Sequence, residues 1–248
     1  MIKAKYSIIV EKFKWLIILY YSSMHRKSPC FKYVEFSYRH TIDWTAKASF
    51  EGYEYNVVES YVDGLHNYAY EFALMNVKNK QTLSRLLNIM RKSRDVVELV
   101  DFKPLNHGYP RRIIIITRSP IRTSTRYRAQ LLGGIEVKDY IANGVENWGF
   151  LFPADMNLDI FLNSLKASGE VISMRSKNVD LTDILSLVSS SKVTSLLTKA
   201  ELRTLRIAYK LGYFNDDREV GLEDIAKELN LSIATVDKQI RSAIRRLT

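Results

Sequence analysis

From Phe31 onward apolar and polar residues alternate with a period of two. FKYVEFSYRH alternates, and YEYNVVESYV and NYAYEFALMNV follow it as strand-like stretches. That pattern predicts three strands, and Asp63-Gly64 between the second and third marks a hairpin. The period then lengthens. Leu83, Leu86, Leu87 and Met90 recur at helical spacing within residues 79–91, and a strand is expected over 96–103. The interval 40–50 has room for one short helix. A β-α-β-β-α-β unit results, with helices layered on an antiparallel sheet.

A second unit of the same pattern follows Pro110. Residues 112–117 carry four consecutive isoleucines, the signature of a buried central strand, and TSTRYRAQLLGG predicts a helix stopped by Gly133-Gly134. Residues 135–140 and 147–152 form a hairpin, 156–165 a helix and 170–174 a closing strand. The units match in pattern and not residue by residue. The expected fold class is therefore α+β: a ferredoxin-like N-terminal region, in tandem over 31–104 and 111–176, within a body spanning 24–178. Leu181, Ile184, Leu185 and Val188 predict a linker helix within 179–197, and Ser189-Ser190-Ser191 a polar joint. This segment is read either as a spacer or as a transmission element contributing dimer contacts.

The C-terminal stretch 198–248 has a helical period throughout. Thr198-Lys199-Ala200-Glu201 has the capping-box pattern, Leu202, Leu205, Ala208 and Tyr209 give an inner face, and Gly212 ends the helix. Tyr213-Phe214 is too apolar for an idle loop and is expected to pack under the helices that follow. Leu222, Ile225, Ala226 and Leu229 define a second helix, and Ile233, Val236, Ile240, Ala243, Ile244 and Leu247 a third. Between them Asn230-Leu231-Ser232 suits a tight turn, with Asn left-handed and the Ser hydroxyl capping the next helix. The pattern is a helix-turn-helix. Facing away from the apolar set are Ala234, Thr235, Lys238, Gln239, Arg241, Ser242 and Arg245. Thr235, Lys238, Gln239 and Ser242 are candidates for base edges, Arg241, Arg245 and Arg246 for phosphates or a guanine, and the Ser232 region for a phosphate at the helix start.

Charge sharpens this picture only locally. The chain has 248 residues and a formal charge of +10, which favours polyanionic partners. Residues 198–248 hold ten Lys/Arg against eight Asp/Glu, so most of the excess lies upstream; from Ser232 onward, Lys238, Arg241, Arg245 and Arg246 face only Asp237. The stretch RSPIRTSTRYR, with Arg118, Arg122, Arg126 and Arg128, is either a phosphate clamp or a solvated loop and helix start. The single cysteine, Cys30, excludes an intramolecular disulfide and fits a reducing cytosol. Residues 1–23 include an apolar run too short to span a bilayer, and read as an extension upstream of Met24 or as a signal peptide. No phosphate loop and no HExxH occurs. The histidines are scattered, and His40, beside an apolar strand, reads as a hydrogen-bonded structural residue. Neither a cofactor nor a metal is expected, and the chain is not expected to be an enzyme.

LTKAELRTLRIAYKLGYF and REVGLEDIAKELNLSIATVDKQIRSAIRRL together resemble the helix-turn-helix of the archaeal bacterio-opsin activator family of transcription regulators. Gly212-Tyr213-Phe214 with Arg218, Ile225-Ala226, Leu229, Ser232, Thr235-Val236 and Arg241 carry the resemblance. Asp217 stands where the family usually has Pro, and Gln239 where it often has His. The resemblance implies a DNA-binding regulator whose upstream region senses a signal or mediates assembly. The expectation is a cytoplasmic transcription regulator that binds double-stranded DNA as a homodimer, with a small-molecule effector and RNA polymerase as further candidate partners and no membrane association. The alternative is a metabolite-binding or protein-interaction module whose C-terminal helices contact protein and not DNA.

Overall fold

The structure, a computed structural model, describes residues 30–96, 98–122 and 124–247. The expected N-terminal extension lies outside the described residues. Strands β1 (Phe31–His40), β2 (Tyr53–Asp63), β3 (Tyr68–Val77), β4 (Glu98–Pro104), β5 (Arg111–Pro120), β6 (Ile135–Ala142), β7 (Val145–Pro153) and β8 (Gly169–Val179) form one sheet in the order β4-β5-β3-β2-β6-β7-β1-β8. All neighbouring strands in it run antiparallel. Helix α1 (Trp44–Lys47) lies between β1 and β2, α2 (Lys80–Lys92) between β3 and β4, α3 (Thr125–Leu131) between β5 and β6, and α4 (Leu158–Lys166) between β7 and β8.

The element order repeats the β-α-β-β-α-β pattern, but the two units exchange their first strands. β1 lies between β7 and β8, and β5 between β3 and β4. The central seam is short, because β2 and β6 pair only through Tyr55↔Ile141 and Asn56↔Tyr140. Exchange joins the halves more firmly than that seam does.

One face of the sheet carries helices α1 to α4. Trp44, Leu86, Leu87 and Met90 pack on Tyr53, Tyr55, Ala73, Met75, Ile113 and Ile115, while Ala129, Phe161 and Leu165 pack on Val34, Phe36, Tyr38, Trp148, Phe150 and Phe152. Period-two alternation puts the intervening residues on the other face. There α5 (Leu181–Leu196) contacts β8, β6 and β2, and Ile184 packs with Phe31, Tyr33, Leu151 and Val179. It leaves the β5 end of that face uncovered. Ile113 and Ile115 are therefore fully buried, whereas Ile114 is 39% exposed, so the isoleucine run is not a strand buried on both faces as expected. The expected joint at Ser189-Ser190-Ser191 is also absent: these residues continue α5 without a break. Ser190 Oγ donates back to the Leu187 carbonyl, and Ser191 Oγ to the Val137 carbonyl at 2.5 Å, so the hydroxyls are satisfied without ending the helix.

The arginine-rich stretch forms the expected helix start, with Thr125 opening α3 and Arg122 exposed in the turn before it, but Arg118, Arg126 and Arg128 are engaged by the protein itself. Arg126 is fully buried beside the seam, donating to Glu71 at 2.8 Å, to Asp139 at 2.9 Å and to Glu136, with Trp148 below its guanidinium at 5.3 Å. Arg118 pairs with Glu98 and stacks on Tyr68; Arg128 donates to the Ser164 carbonyl and Ser168 hydroxyl. Three carboxylates on one guanidinium leave excess negative charge in a low-dielectric site. Burial holds the Asp139 carboxyl well above the usual carboxylate range, although Arg126 opposes this.

Candidate nucleic-acid interface

Helices α6 (Lys199–Lys210), α7 (Leu222–Leu229) and α8 (Ile233–Leu247) form the C-terminal unit. Its start follows the capping-box chemistry: Thr198 Oγ1 accepts from the Glu201 amide at 3.2 Å, and Glu201 accepts from the Thr198 amide at 2.9 Å. Gly212 then takes φ +82°, a conformation that suits glycine, and Tyr213 N donates to the Ala208 carbonyl. The Gly-Tyr-Phe element with its distant Arg acquires a physical role. Arg218 stacks on Tyr213 at 4.7 Å and donates to the Tyr213 carbonyl at 3.2 Å, fixing the loop from α6 to α7. Tyr213 packs against the three-helix core, while Phe214, edge-on to it, stays 47% exposed.

Ala208, Ile225, Ala226, Leu229, Val236 and Ile240 form that core. Asn230 sits left-handed at φ 54° and ψ 48°, Leu231 N donates to the Ala226 carbonyl, and Ser232 Oγ accepts from the Thr235 amide at 3.2 Å. These bonds satisfy the end of α7 and the start of α8 and set the angle between them.

The geometry divides the nine residues singled out from the sequence. Ala234, Lys238, Arg241 and Arg245 are exposed, and Ser242 is half-buried beside them. They lie on the side of α8 opposite buried Val236, Ile240 and Ala243, as a period of 3.6 requires. Ser232 and Thr235 mark the helix start, their hydroxyls 2.8 Å apart. Two residues turn the other way. Gln239 accepts a hydrogen bond from Thr204 of α6, and Arg246 pairs with Glu201. Arg241 is paired with Asp237 one turn back but keeps 71% of its side chain exposed.

The unit is fastened to β2 and β6 through Lys199, and the end of α5 just before it to β5. Arg112 Nη2 donates to the Leu196 carbonyl at 2.6 Å, and Lys199 lies 3.5 Å from Glu54 and over the Tyr140 ring at 4.8 Å. Between sheet, α5 and α6 runs a cleft of about 520 Å³ bordered by Lys138, Arg175, Lys177, Arg206, Ser190 and Thr194. Glu35 accepts from both Lys138 and Arg175, and these two cations hold its carboxyl below the usual range against the opposing effect of burial. The cleft had no sequence signal, because its basic residues come from two strands and a helix spread over almost seventy positions.

Among the described residues no helix is long and apolar enough to cross a membrane. Residues 197–248 match the family model of an HTH DNA binding domain of the bacterio-opsin activator type. No curated protein matches the chain. The match supports a DNA-binding regulator and covers the three helices together with the loops that orient them.

Proposed function

We propose that the chain is a sequence-specific, double-stranded-DNA-binding transcription regulator whose helix α8 enters the major groove. The observation that carries this reading is the outward side of α8, where Lys238, Arg241 and Arg245 are exposed opposite an apolar side sealed by α6 and α7. In this reading Ala234, Thr235, Lys238 and Ser242 contact base edges, Arg241 and Arg245 phosphates or a guanine, and the amide-rich start of α8 at Ser232 a phosphate. Gln239 and Arg246 reach DNA only after releasing Thr204 and Glu201, which makes them the residues whose contacts cost most to form.

In the same reading the upstream α+β region is regulatory. After strand exchange each half-sheet has the order fourth-first-third-second, which supports two ferredoxin-like units sharing first strands. A small anionic effector fits the cleft of Lys138, Arg175, Lys177 and Arg206, because that cleft borders α6 and its occupation bears directly on how the reader helices sit. A homodimer contact and a contact with RNA polymerase belong to the same reading, with the exposed apolar residues Leu231 and Ile233 at the start of α8 available to either. A dimer spaces its two reader helices about 34 Å apart on a paired site. Archaeal origin and a cytoplasmic location belong to the same proposal.

Selection of bound duplexes from a randomised pool by the full chain tests it. The expected result is an enriched paired motif whose binding falls steeply with salt. Absence of any enriched sequence, with capture only through protein partners, overturns it in favour of an interaction module.

A further inference from the structure

Away from the reader helices, the fold brings Glu146 against His40 and Asp43, which stand close together in the sequence but far from it. His40 ends β1, Asp43 caps α1, and Glu146 opens β7 opposite Tyr38. His40 and Glu146 are buried and Asp43 nearly so, and one ligand atom from each lies within 4.8 Å of the others. We propose that these residues bind a first-row divalent cation, zinc or a close relative, in the N-terminal region.

Geometry argues for an ion over a plain ion pair. His40 Nε2 lies 3.4 Å from Asp43 Oδ2 and 3.3 Å from Glu146 Oε2. A direct charge-assisted N–H···O bond would be about 2.7–2.9 Å and would serve one acceptor. Ligand atoms about 2.0–2.1 Å from a tetrahedral ion stand about 3.3–3.4 Å apart, which is the spacing on the two edges from His40, and the two carboxylate oxygens lie within 4.8 Å of each other. Charge agrees. Burial disfavours a charged imidazole, but Glu146 and Asp43 push His40 up to about 9, so in the metal-free protein a proton sits between the carboxylates; a divalent cation displaces that proton and cancels the two carboxylate charges.

The surroundings orient the ligands. Asp43 Oδ1 accepts from Thr45 Oγ1 at 2.6 Å and from Ala46 N at 3.0 Å, leaving Oδ2 to face the cluster. Trp148 Nε1 donates at 2.8 Å to Glu146 Oε2, the oxygen that also faces His40, and the Tyr38 ring stands edge-on to the imidazole at 4.6 Å. Such outer bonds fix carboxylate and ring orientation in metal sites. One nitrogen and two oxygens suit zinc, cobalt or manganese and leave room for a water ligand. The ion ties the β1–α1 corner to the β6–β7 hairpin, whose Gly144 amide is held by the Tyr53 hydroxyl. The three ligands sit on β1, α1 and β7 and not on the reader helices, so the site stands or falls apart from DNA binding.

Chelator-treated full-length protein titrated with Co(II), Zn(II) and Mn(II) tests the proposal. The expected result is one equivalent of Co(II) per chain with visible absorption bands of a low-coordinate nitrogen and oxygen site, displaced by Zn(II), together with a rise in melting temperature. His40→Gln and Glu146→Gln abolish both responses, and Thr45→Val weakens affinity about 10–100-fold. Should the first two variants fail to fold, the wild-type Co(II) spectrum and the Thr45→Val affinity decide. Substoichiometric uptake of all three ions by the wild type, with no thermal shift, overturns the proposal and leaves a buried ion pair.

Discussion

Replacing Arg126 by Met removes the positive centre beside the short β2–β6 seam while keeping much of its volume. Glu71 retains bonds from Tyr55 at 3.2 Å and Thr117 at 3.4 Å, and Glu136 keeps one from Ser60 at 3.3 Å. Asp139 is worse placed, because Oδ1 already has no partner and Oδ2 loses Arg126. Removing one side of a buried ion pair costs about 3–5 kcal/mol, which at roughly 2–4 °C per kcal/mol for a chain of this size lowers the melting temperature by on the order of 10 °C. The sign with pH follows from linkage. Without Arg126 nothing opposes the burial that already holds the Asp139 carboxyl above its unfolded value, so this group favours the fold below the unfolded pKa and loses that contribution as pH rises through the folded one. Denaturant unfolding followed by circular dichroism at pH 5 and pH 8 should therefore show a larger penalty at pH 8. Adding Glu136→Gln and Asp139→Asn should recover much of the loss. A penalty below about 1 kcal/mol, or one equal at both pH values, refutes the reasoning.

Three further outcomes follow from the C-terminal helices. Arg218→Ala removes a stacked cation and one hydrogen bond, and should destabilise the α6–α7 loop by about 1–2 kcal/mol, read as faster amide exchange near Tyr213. Asn230→Ala puts a side chain that avoids the left-handed region at φ 54°, and should cost about 1–2 kcal/mol in chemical denaturation. Gln239→Ala breaks the hydrogen bond with Thr204 and should lower stability by about 1 kcal/mol, whereas Arg245→Ala leaves folding unchanged and weakens binding to every duplex, as measured by melting and by fluorescence anisotropy.

Some of this was legible from residue order. The alternation from Phe31 to His40 and the helical spacing around Leu86 needed only local periodicity, and both elements lie where that periodicity placed them. Asn230 and the Thr198–Glu201 pair announced a turn and a cap through their own side-chain chemistry. Pairing partners are another matter. The alternation in β1 says which face each residue takes but not that β7 and β8 flank it, so strand exchange leaves no local mark. Arg126 reads as solvated because its neighbours Thr125 and Tyr127 are polar and its partners Glu71, Glu136 and Asp139 lie off its helix, on β3 and β6. The serine run misled for a related reason, since hydroxyls that bond to carbonyls sit inside a helix without breaking it. Likewise, spacing on α8 identified its outer side, but only the packing of α6 showed Gln239 and Arg246 already engaged.

The most direct test of the outward side of α8 is the salt dependence of binding to a selected duplex, for the full chain and for a folded Lys238→Ala, Arg241→Ala, Arg245→Ala variant. Every phosphate that is no longer neutralised should make the slope of log affinity against log salt less negative by about 0.9, so the loss of Arg241 and Arg245 should flatten the variant by roughly two per protomer, and the variant should bind far more weakly at low salt. An unchanged affinity and slope in the variant would contradict the assignment of this helix to DNA.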